Sequence, residues 1–398
     1  MALALAVLPL LGCEESYSAL VKYTLRTDPL PLLGEKIGDE RMEPDRPAQL
    51  PLMSVKDLLE PFHPMTLGTK LLRNGVLLDP NEIDPKDRAV IKTYLDSWFG
   101  SPRHPTVKDA PPSLLLDDKT LARGSQIYRL QCLHCHGVNG DGRGVTAKWI
   151  NPHPRDFRQA MFKFQSVDQV NGPAGSPPRR EDLRRTITLG VEATGMPAFN
   201  INLKKDEIED VVSYVIHLSL RGRLEYDTMK TMEGLEVPID EQMADLHKRN
   251  LDKWVKAATK AIKPTAYPYK EGDVTDPAYK ASVLRGYHLF KGDVTKETPE
   301  AKTTNCVSCH KNFGREATFR WDGWGTLVRP NNLTNGIYRG GRRPVDLYNR
   351  MHSGINGSGM VAFGGLEKDN PKILWDLVNF VQVLPYPKMR EAMGIKID

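Results

Sequence analysis

Two copies of one short cysteine motif constrain this chain more than any other feature of its sequence. The pattern C-x-x-C-H occurs at residues 132–136 and again at 306–310. Two thiols at this spacing can form thioethers with the two vinyl groups of one haem, and the histidine that follows can bind the iron as its proximal ligand. Four of the five cysteines lie in the motifs, which leaves only Cys13. The sequence therefore predicts two covalently bound haem c groups.

The residues predicted to hold these haems follow directly from the two motifs. The predicted thioether cysteines are Cys132, Cys135, Cys306 and Cys309. The predicted proximal ligands of the iron are His136 and His310. We predict no catalytic residue.

Composition and charge exclude several other classes of protein. The chain has 398 residues, enough for two or three domains, and its 40% hydrophobic and 26% charged residues are typical of folded globular proteins. The formal net charge of +5 is too small to indicate nucleic-acid binding. No stretch approaches the roughly 18 consecutive apolar residues of a membrane-spanning helix, so none is expected.

The first residues have the pattern of an export signal. Residues 2–12 form an uncharged apolar run, and we expect residues 1–12 to be a signal peptide. The run ends in Leu-Leu-Gly before Cys13, which resembles the lipobox of bacterial lipoproteins, where the cysteine carries the lipid. We therefore expect a lipid anchor at Cys13 on the periplasmic side of a bacterial membrane. The alternative is a plain cleaved signal followed by an incidental cysteine.

Residues 13–115 are rich in proline and predict an extended N-terminal arm that lies over another surface. One helix is predicted near 85–99, with Asp84 as its N-cap and Gly100 at its end. Its apolar residues form one stripe, which consists of Ile91, Leu95, Trp98 and Phe99. This stripe packs either on the neighbouring haem domain or on a partner subunit.

Residues 116–222 and 277–386 align as two copies of one unit. A glycine and an aromatic residue four positions later precede each motif, at Gly124 and Tyr128, and at Gly286 and Phe290. Each copy later contains Gly-Met-x-Ala-Phe and ends in an amphipathic helix, near 205–220 and near 370–384. Residues 223–276 are predicted to be a linker with a helix near 239–262, and residues 387–398 a C-terminal tail.

Met196 and Met360 are the predicted distal ligands of the two irons. A thioether sulfur favours ferrous over ferric iron and so raises the reduction potential. A single methionine is more often part of a hydrophobic core, but two at the same position of a repeat favour ligation. Met161 and Met351 are weaker candidates, because neither lies in the repeated pattern.

Four further residues are candidates for the haem pockets. Pro154 and Pro330 are candidates for the proline that packs on the proximal imidazole or orients it through its carbonyl. Arg155 and Arg339 are candidates for ion pairs with haem propionates, since a guanidinium suits a carboxylate; the alternative is a solvated arginine. Trp324 either forms a wall of the second haem site or fills the core.

Both units resemble class I cytochrome c domains in their C-x-x-C-H motif, the later Gly-Met-x-x-Phe and the flanking helices. The resemblance implies an all-α fold: two class I cytochrome c domains in tandem, joined by a helical linker and preceded by the Pro-rich extended arm. In each domain the first and last helices are expected to cross, with Gly124 against Tyr214 and Gly286 against Phe380.

The tandem arrangement resembles dihaem subunits of bacterial respiratory oxidases and dihaem electron carriers. It implies single-electron transfer between a quinol-oxidising donor and a high-potential acceptor such as a terminal oxidase. The expected partner is a membrane respiratory complex or another redox protein, with no nucleic acid and no small-molecule substrate. The alternative is a dihaem peroxidase or another oxidoreductase, which needs an open sixth position at one iron.

Overall fold

The computed structural model describes residues 17–28, 30–31, 36–37, 40–41, 77–171, 175–231, 239–324 and 326–397. The expected signal peptide and lipidation site, residues 1–12 and Cys13, lie outside the described residues. The described chain is all-α, which confirms the predicted fold class. In this part of the chain no helix has both the length and the apolar character needed to cross a membrane.

Eleven α-helices lie in the described residues. They are α1 (Pro85–Phe99), α2 (Asp118–Gln131), α3 (Leu133–His136), α4 (Arg180–Leu189), α5 (Lys205–Thr231), α6 (Ile239–Thr259), α7 (Pro277–Lys291), α8 (Ala301–Thr304), α9 (Pro344–Ser353), α10 (Ile373–Val383) and α11 (Pro387–Ala392). The 3-10 helices are Pro80–Glu82, Pro112–Leu114, Ala147–Trp149, Cys306–Ser308, Lys311–Gly314, Leu333–Asn335 and Gly364–Lys368.

The strands are two residues long and pair antiparallel in the described chain. β1 (Leu30–Pro31) pairs with β4 (Leu77–Leu78), β2 (Lys36–Ile37) with β3 (Glu40–Arg41), and β5 (Arg320–Trp321) with β6 (Leu327–Val328). Ladders this short position loops and do not form a separate layer.

Two hydrophobic cores organise these helices. The first core joins α1, α2, α4, α5 and α6, together with Tyr23 of the arm. The second joins α7, α9, α10 and the C-terminal residues, where Met393 and Ile395 are buried. The residues predicted as a C-terminal tail therefore contain the helix α11 and contribute to the second core.

The first core contains a close helix crossing at a glycine. α2 crosses α5 where Gly124 faces the backbone of Asp210: a Cβ at Gly124 would lie 2.1 Å from the Asp210 carbonyl oxygen and 3.0 Å from Cβ of Tyr214. Arg123 closes the crossing with an ion pair to Asp210, at 2.7 Å between Nε and Oδ2. The contact between Gly124 and Tyr214 is the one that the resemblance implied.

The second core repeats this crossing between α7 and α10. A Cβ at Gly286 would lie 2.0 Å from the Asp376 carbonyl oxygen and 2.8 Å from Cβ of Phe380. Arg285 pairs with Asp376 at 2.8 Å, as Arg123 pairs with its aspartate in the first unit. The same helix geometry therefore surrounds each C-x-x-C-H motif.

Replacing Gly124 with alanine is expected to destabilise the protein. Overpacking costs roughly 1–3 kcal/mol or more, whereas alanine gains only about 1 kcal/mol in helix propensity over glycine. Denaturant unfolding followed by circular dichroism measures the effect. The control is Gly365→Ala, where a Cβ has no neighbour within 4 Å, and where we expect a change within about 0.5 kcal/mol. Equal stability of the two variants would contradict the close crossing.

The described part of the arm is attached to the first unit. The Tyr23 and Tyr214 hydroxyls are 2.8 Å apart, and the Arg26 amide donates to Oε1 of Glu225 at 2.6 Å. Asp28 pairs with Arg158 at 3.0 Å, and both side chains are buried. These buried polar contacts hold residues 17–28 against the first unit.

Helix α1 also packs on the first unit. Asp84 accepts from the Lys86 amide and Gly100 ends the helix, as predicted. All four residues of the apolar stripe are buried in the first core, which favours packing within the chain over a partner subunit. His217 of α5 hydrogen-bonds the Phe99 carbonyl at 3.0 Å, and burial lowers the pKa of this histidine to about 4.

The helices in and before the predicted linker, residues 223–276, end at other residues than the sequence predicted. Helix α5 continues to Thr231, past residue 222, because Leu224 and Met229 are fully buried in the first core. Helix α6 ends at Thr259 and not near residue 262. The reason is that the Ile262 amide donates to the Ser166 carbonyl at 2.8 Å, and the chain here leaves the helix to pair with the first unit.

Candidate haem sites

The first motif forms a single tight turn at the end of α2. The amides of Cys135 and His136 both donate to the Cys132 carbonyl, at 3.1 and 2.9 Å. Positions three residues apart on such a turn lie on the same face. The turn therefore presents both thiols toward one side, with the histidine directly after them.

The imidazole of His136 has the hydrogen bond that a haem ligand needs. Its Nδ1 lies 3.1 Å from the carbonyl oxygen of Arg155. Because a carbonyl oxygen can only accept, Nδ1 carries the proton and the neutral ring keeps a lone pair on Nε2. Burial lowers the pKa of His136 to about 4, which favours this neutral form. The ring stacks on Phe157, with 4.6 Å between the ring centroids.

The second motif has the same turn and the same histidine bond. The amides of Cys309 and His310 donate to the Cys306 carbonyl at 3.2 and 2.8 Å. Nδ1 of His310 lies 3.2 Å from the carbonyl oxygen of Asn331, so this ring too presents Nε2 as a ligand. The second site is more open: Cys309 is exposed where Cys135 is half-buried, and His310 is half-buried where His136 is buried.

The carbonyl groups that orient the two imidazoles belong to the residues directly after the predicted prolines. Pro154 and Pro330 were the predicted candidates, but the oxygens that face the two imidazoles belong to Arg155 and Asn331. A proline restricts the backbone beside it. The prolines therefore precede the residues that orient the histidines, and do not themselves accept the bond.

Met196 lies in a loop closed by its own backbone. Its carbonyl accepts from the Val191 amide at 3.1 Å, and its amide donates to Oγ1 of Thr194 at 3.1 Å. Gly190 begins the loop with φ +68°, and a Cβ there would lie 2.6 Å from the Met196 carbonyl oxygen. Only glycine fits this position readily. The Met196 side chain packs against the first core.

Met360 lies in a loop with the same bonds. Its carbonyl accepts from the Ile355 amide at 3.1 Å, and its amide donates to Oγ of Ser358 at 3.4 Å. Gly354 has φ +69°, and a Cβ there would lie 2.4 Å from the Met360 carbonyl oxygen. The competing Met351 lies within α9 and packs against the second core.

The four motif cysteines are free of disulfides. Burial raises the pKa of the Cys132 and Cys306 thiols to about 12, so neither is a thiolate at neutral pH. Each motif thus combines two thiols outside any disulfide with an imidazole whose Nδ1 faces a carbonyl oxygen. This donor set fits a covalently attached haem at each motif.

The two candidate arginines lie in different surroundings. Arg155 is half-buried, and its guanidinium carbon lies 3.5 Å from the centroid of the Trp324 ring, which comes from the second unit. Arg339 is exposed, which corresponds to the solvated alternative. Trp324 is only 3% exposed.

Sequence reasoning did not find the polar contacts that join the two units. Lys163 pairs with the buried Asp322 at 2.8 Å, and Oγ of Ser353 donates to the Val167 carbonyl at 2.8 Å. Both contacts join residues more than 150 positions apart. No local pattern marks such pairs, because each partner alone resembles an ordinary surface residue.

Comparisons with known proteins give a family match for the first unit. No curated protein matches the chain. Among solved structures, the chain is similar to a chain of the Kuenenia stuttgartiensis reducing HAO-like protein complex, with 24% identity over 66% of this chain and 95% of that chain. The TM-score of this pair is 0.46. Residues 121–219, which include the first C-x-x-C-H motif and Met196, match the Cytochrome c family, and that family implies covalently bound haem c in this part of the chain.

Proposed function

We propose that the chain is a dihaem electron-transfer protein with two class I cytochrome c domains in tandem. The first haem would be held by Cys132, Cys135, His136 and Met196, and the second by Cys306, Cys309, His310 and Met360. When bound, each haem supplies an iron that gains and loses one electron. The chain's own residues attach the haem, orient the imidazole and position the methionine.

The observation that carries this proposal is the repeated methionine loop. In both units the methionine carbonyl accepts from the amide five residues earlier, and its amide donates to a hydroxyl two residues earlier. A methionine that only fills a core does not need this pair of hydrogen bonds. Two unrelated loops would not be expected to have the same pair. Methionine as the sixth ligand leaves no open position for a substrate and raises the reduction potential.

The proposed partners are a quinol-oxidising donor and a high-potential acceptor such as a terminal oxidase, within a membrane respiratory complex or as separate redox proteins. The proposed location is the periplasmic side of a bacterial membrane, with a lipid at Cys13. The apolar run before Cys13 supports this location. Haem attachment to C-x-x-C-H outside the cytoplasmic membrane is consistent with it.

Carbon monoxide binding to the reduced holoprotein tests the proposal. Carbon monoxide binds ferrous haem only where the sixth position is open, so we expect no change in the visible spectrum at neutral pH. The ferric protein should show the sulfur-to-iron charge-transfer band of methionine ligation. Carbon monoxide binding at both haems would overturn the proposal. Binding at one haem together with peroxide turnover would favour a dihaem peroxidase instead.

A further inference from the structure

The guanidinium of Arg155 lies between the two units. Among the described residues, no carboxylate lies within ion-pair distance of the Arg155 guanidinium, which instead lies on the ring of Trp324. Burial lowers the pKa of Arg155, although Asp322 and Asp156 act in the opposite direction. Arg155 is half-buried, so its guanidinium can still bind an anion that the described residues do not supply.

The two nearest carboxylates are already paired with other cations. Asp322 binds Lys163 at 2.8 Å, and Asp156 binds Arg158 at 2.7 Å. The second oxygen of Asp322 accepts from the Trp324 amide at 3.0 Å. These bonds hold both carboxylates away from Arg155, so its positive charge is in excess.

Trp324 carries a second unsatisfied group at the same place. Its side chain is buried, and its indole Nε1 has no hydrogen-bond acceptor among the described residues. A buried donor without an acceptor costs roughly 1–3 kcal/mol. Trp324 and Arg155 line one small cleft between the two units. Asp141 and Asp156 line it too, and Asp141 accepts from the Arg143 amide at 2.9 Å.

The cleft lies beside both candidate haem sites. The carbonyl of Arg155 orients His136 of the first site. The Trp324 ring packs on Gly357, where a Cβ would lie 2.5 Å from the ring, and Gly357 belongs to the loop that ends in Met360. A group that reaches the cleft from either haem therefore meets residues of both units.

We propose that Arg155 of the first unit and Trp324 of the second form one carboxylate-binding site, which a haem propionate occupies. A carboxylate accepts from a guanidinium and from an indole N–H at the same time, and it offsets the charge of the arginine. The site makes each unit necessary for complete binding of a haem. This inference rests on the proposed function, since the propionate belongs to one of the two haems.

Redox titration of the holoprotein tests the site. Arg155→Met removes a positive charge near the iron, which favours ferric haem, and we expect the midpoint potential of one haem to fall. Trp324→Phe keeps the ring and removes the N–H donor, and we expect a smaller fall at the same haem. The matched control is Arg249→Met, an exposed arginine paired with Asp245, which should leave both potentials unchanged.

Repeating Arg155→Met in a Cys306→Ala/Cys309→Ala background identifies the source of the carboxylate. A fall that persists assigns the propionate to the first haem, and a fall that disappears assigns it to the second. The site is overturned if a protein with two bound haems shows shifts no larger than the control, or if the two variants affect different haems. A wild-type chain with only one haem would instead contradict the proposed function.

Discussion

Replacing Cys306 and Cys309 together with alanine is expected to reduce the covalently bound haem from two per chain to one. The thioethers of the second motif cannot form without these sulfurs, whereas the first motif lies in a separate hydrophobic core and keeps its haem. The pyridine haemochrome spectrum of the denatured protein and the intact mass measure the number of attached haems.

The corresponding variant of the first motif, Cys132→Ala/Cys135→Ala, should also retain one haem. Cys13→Ala is the control, since this cysteine lies outside both motifs, and it should retain two. A single attached haem in the wild-type chain would contradict the proposed dihaem protein. So would two covalent haems in either double variant.

Replacing Met196 with leucine is expected to remove the sixth ligand of the first iron and to leave that position open. Without the sulfur, the midpoint potential should fall by on the order of 0.1–0.2 V, a fraction of the roughly 0.8 V over which axial ligands set haem potentials. The ferric charge-transfer band should lose half its intensity, and the reduced protein should bind one carbon monoxide. Met360→Leu should have the same effects at the second haem. Visible spectroscopy and redox titration measure them.

The matched controls are Met161→Leu and Met351→Leu, the two methionines outside the repeated loops. Each exchanges methionine for leucine without touching a proposed ligand, so both potentials and the charge-transfer band should remain. If Met351→Leu abolished the band of the second haem while Met360→Leu left it intact, the ligand assignment of that unit would have to be exchanged.

Features that depend on neighbouring residues could be predicted from the sequence. The spacing of Cys132, Cys135 and His136 sets a turn because its hydrogen bonds join residues three and four apart. The cap at Asp84 and the end at Gly100 define α1 for the same reason. The glycines of the helix crossings were also recognisable, because Gly124 and Gly286 stand at the same distance before an aromatic residue in both units.

Features that depend on distant residues could not be predicted in this way. Helix α5 continues to Thr231 because a buried surface on α6 and the arm covers it, and no residue near 222 ends it. The carbonyls that orient the histidines come from Arg155 and Asn331, since backbone geometry after the prolines decides which oxygen faces the ring.

The sequence by itself was enough to predict which residues would attach and ligate the proposed haems, since the C-x-x-C-H pattern and the repeated Gly-Met-x-Ala-Phe pattern lie within short stretches of the chain. Only the tertiary structure decided how the two units meet. It places Arg155 on Trp324, 169 positions later in the chain, where neither the charge of one nor the N–H of the other has an ion-pair or hydrogen-bond partner among the described residues. The reason is physical: burial and pairing are properties of the folded chain, and neither is encoded at a single position.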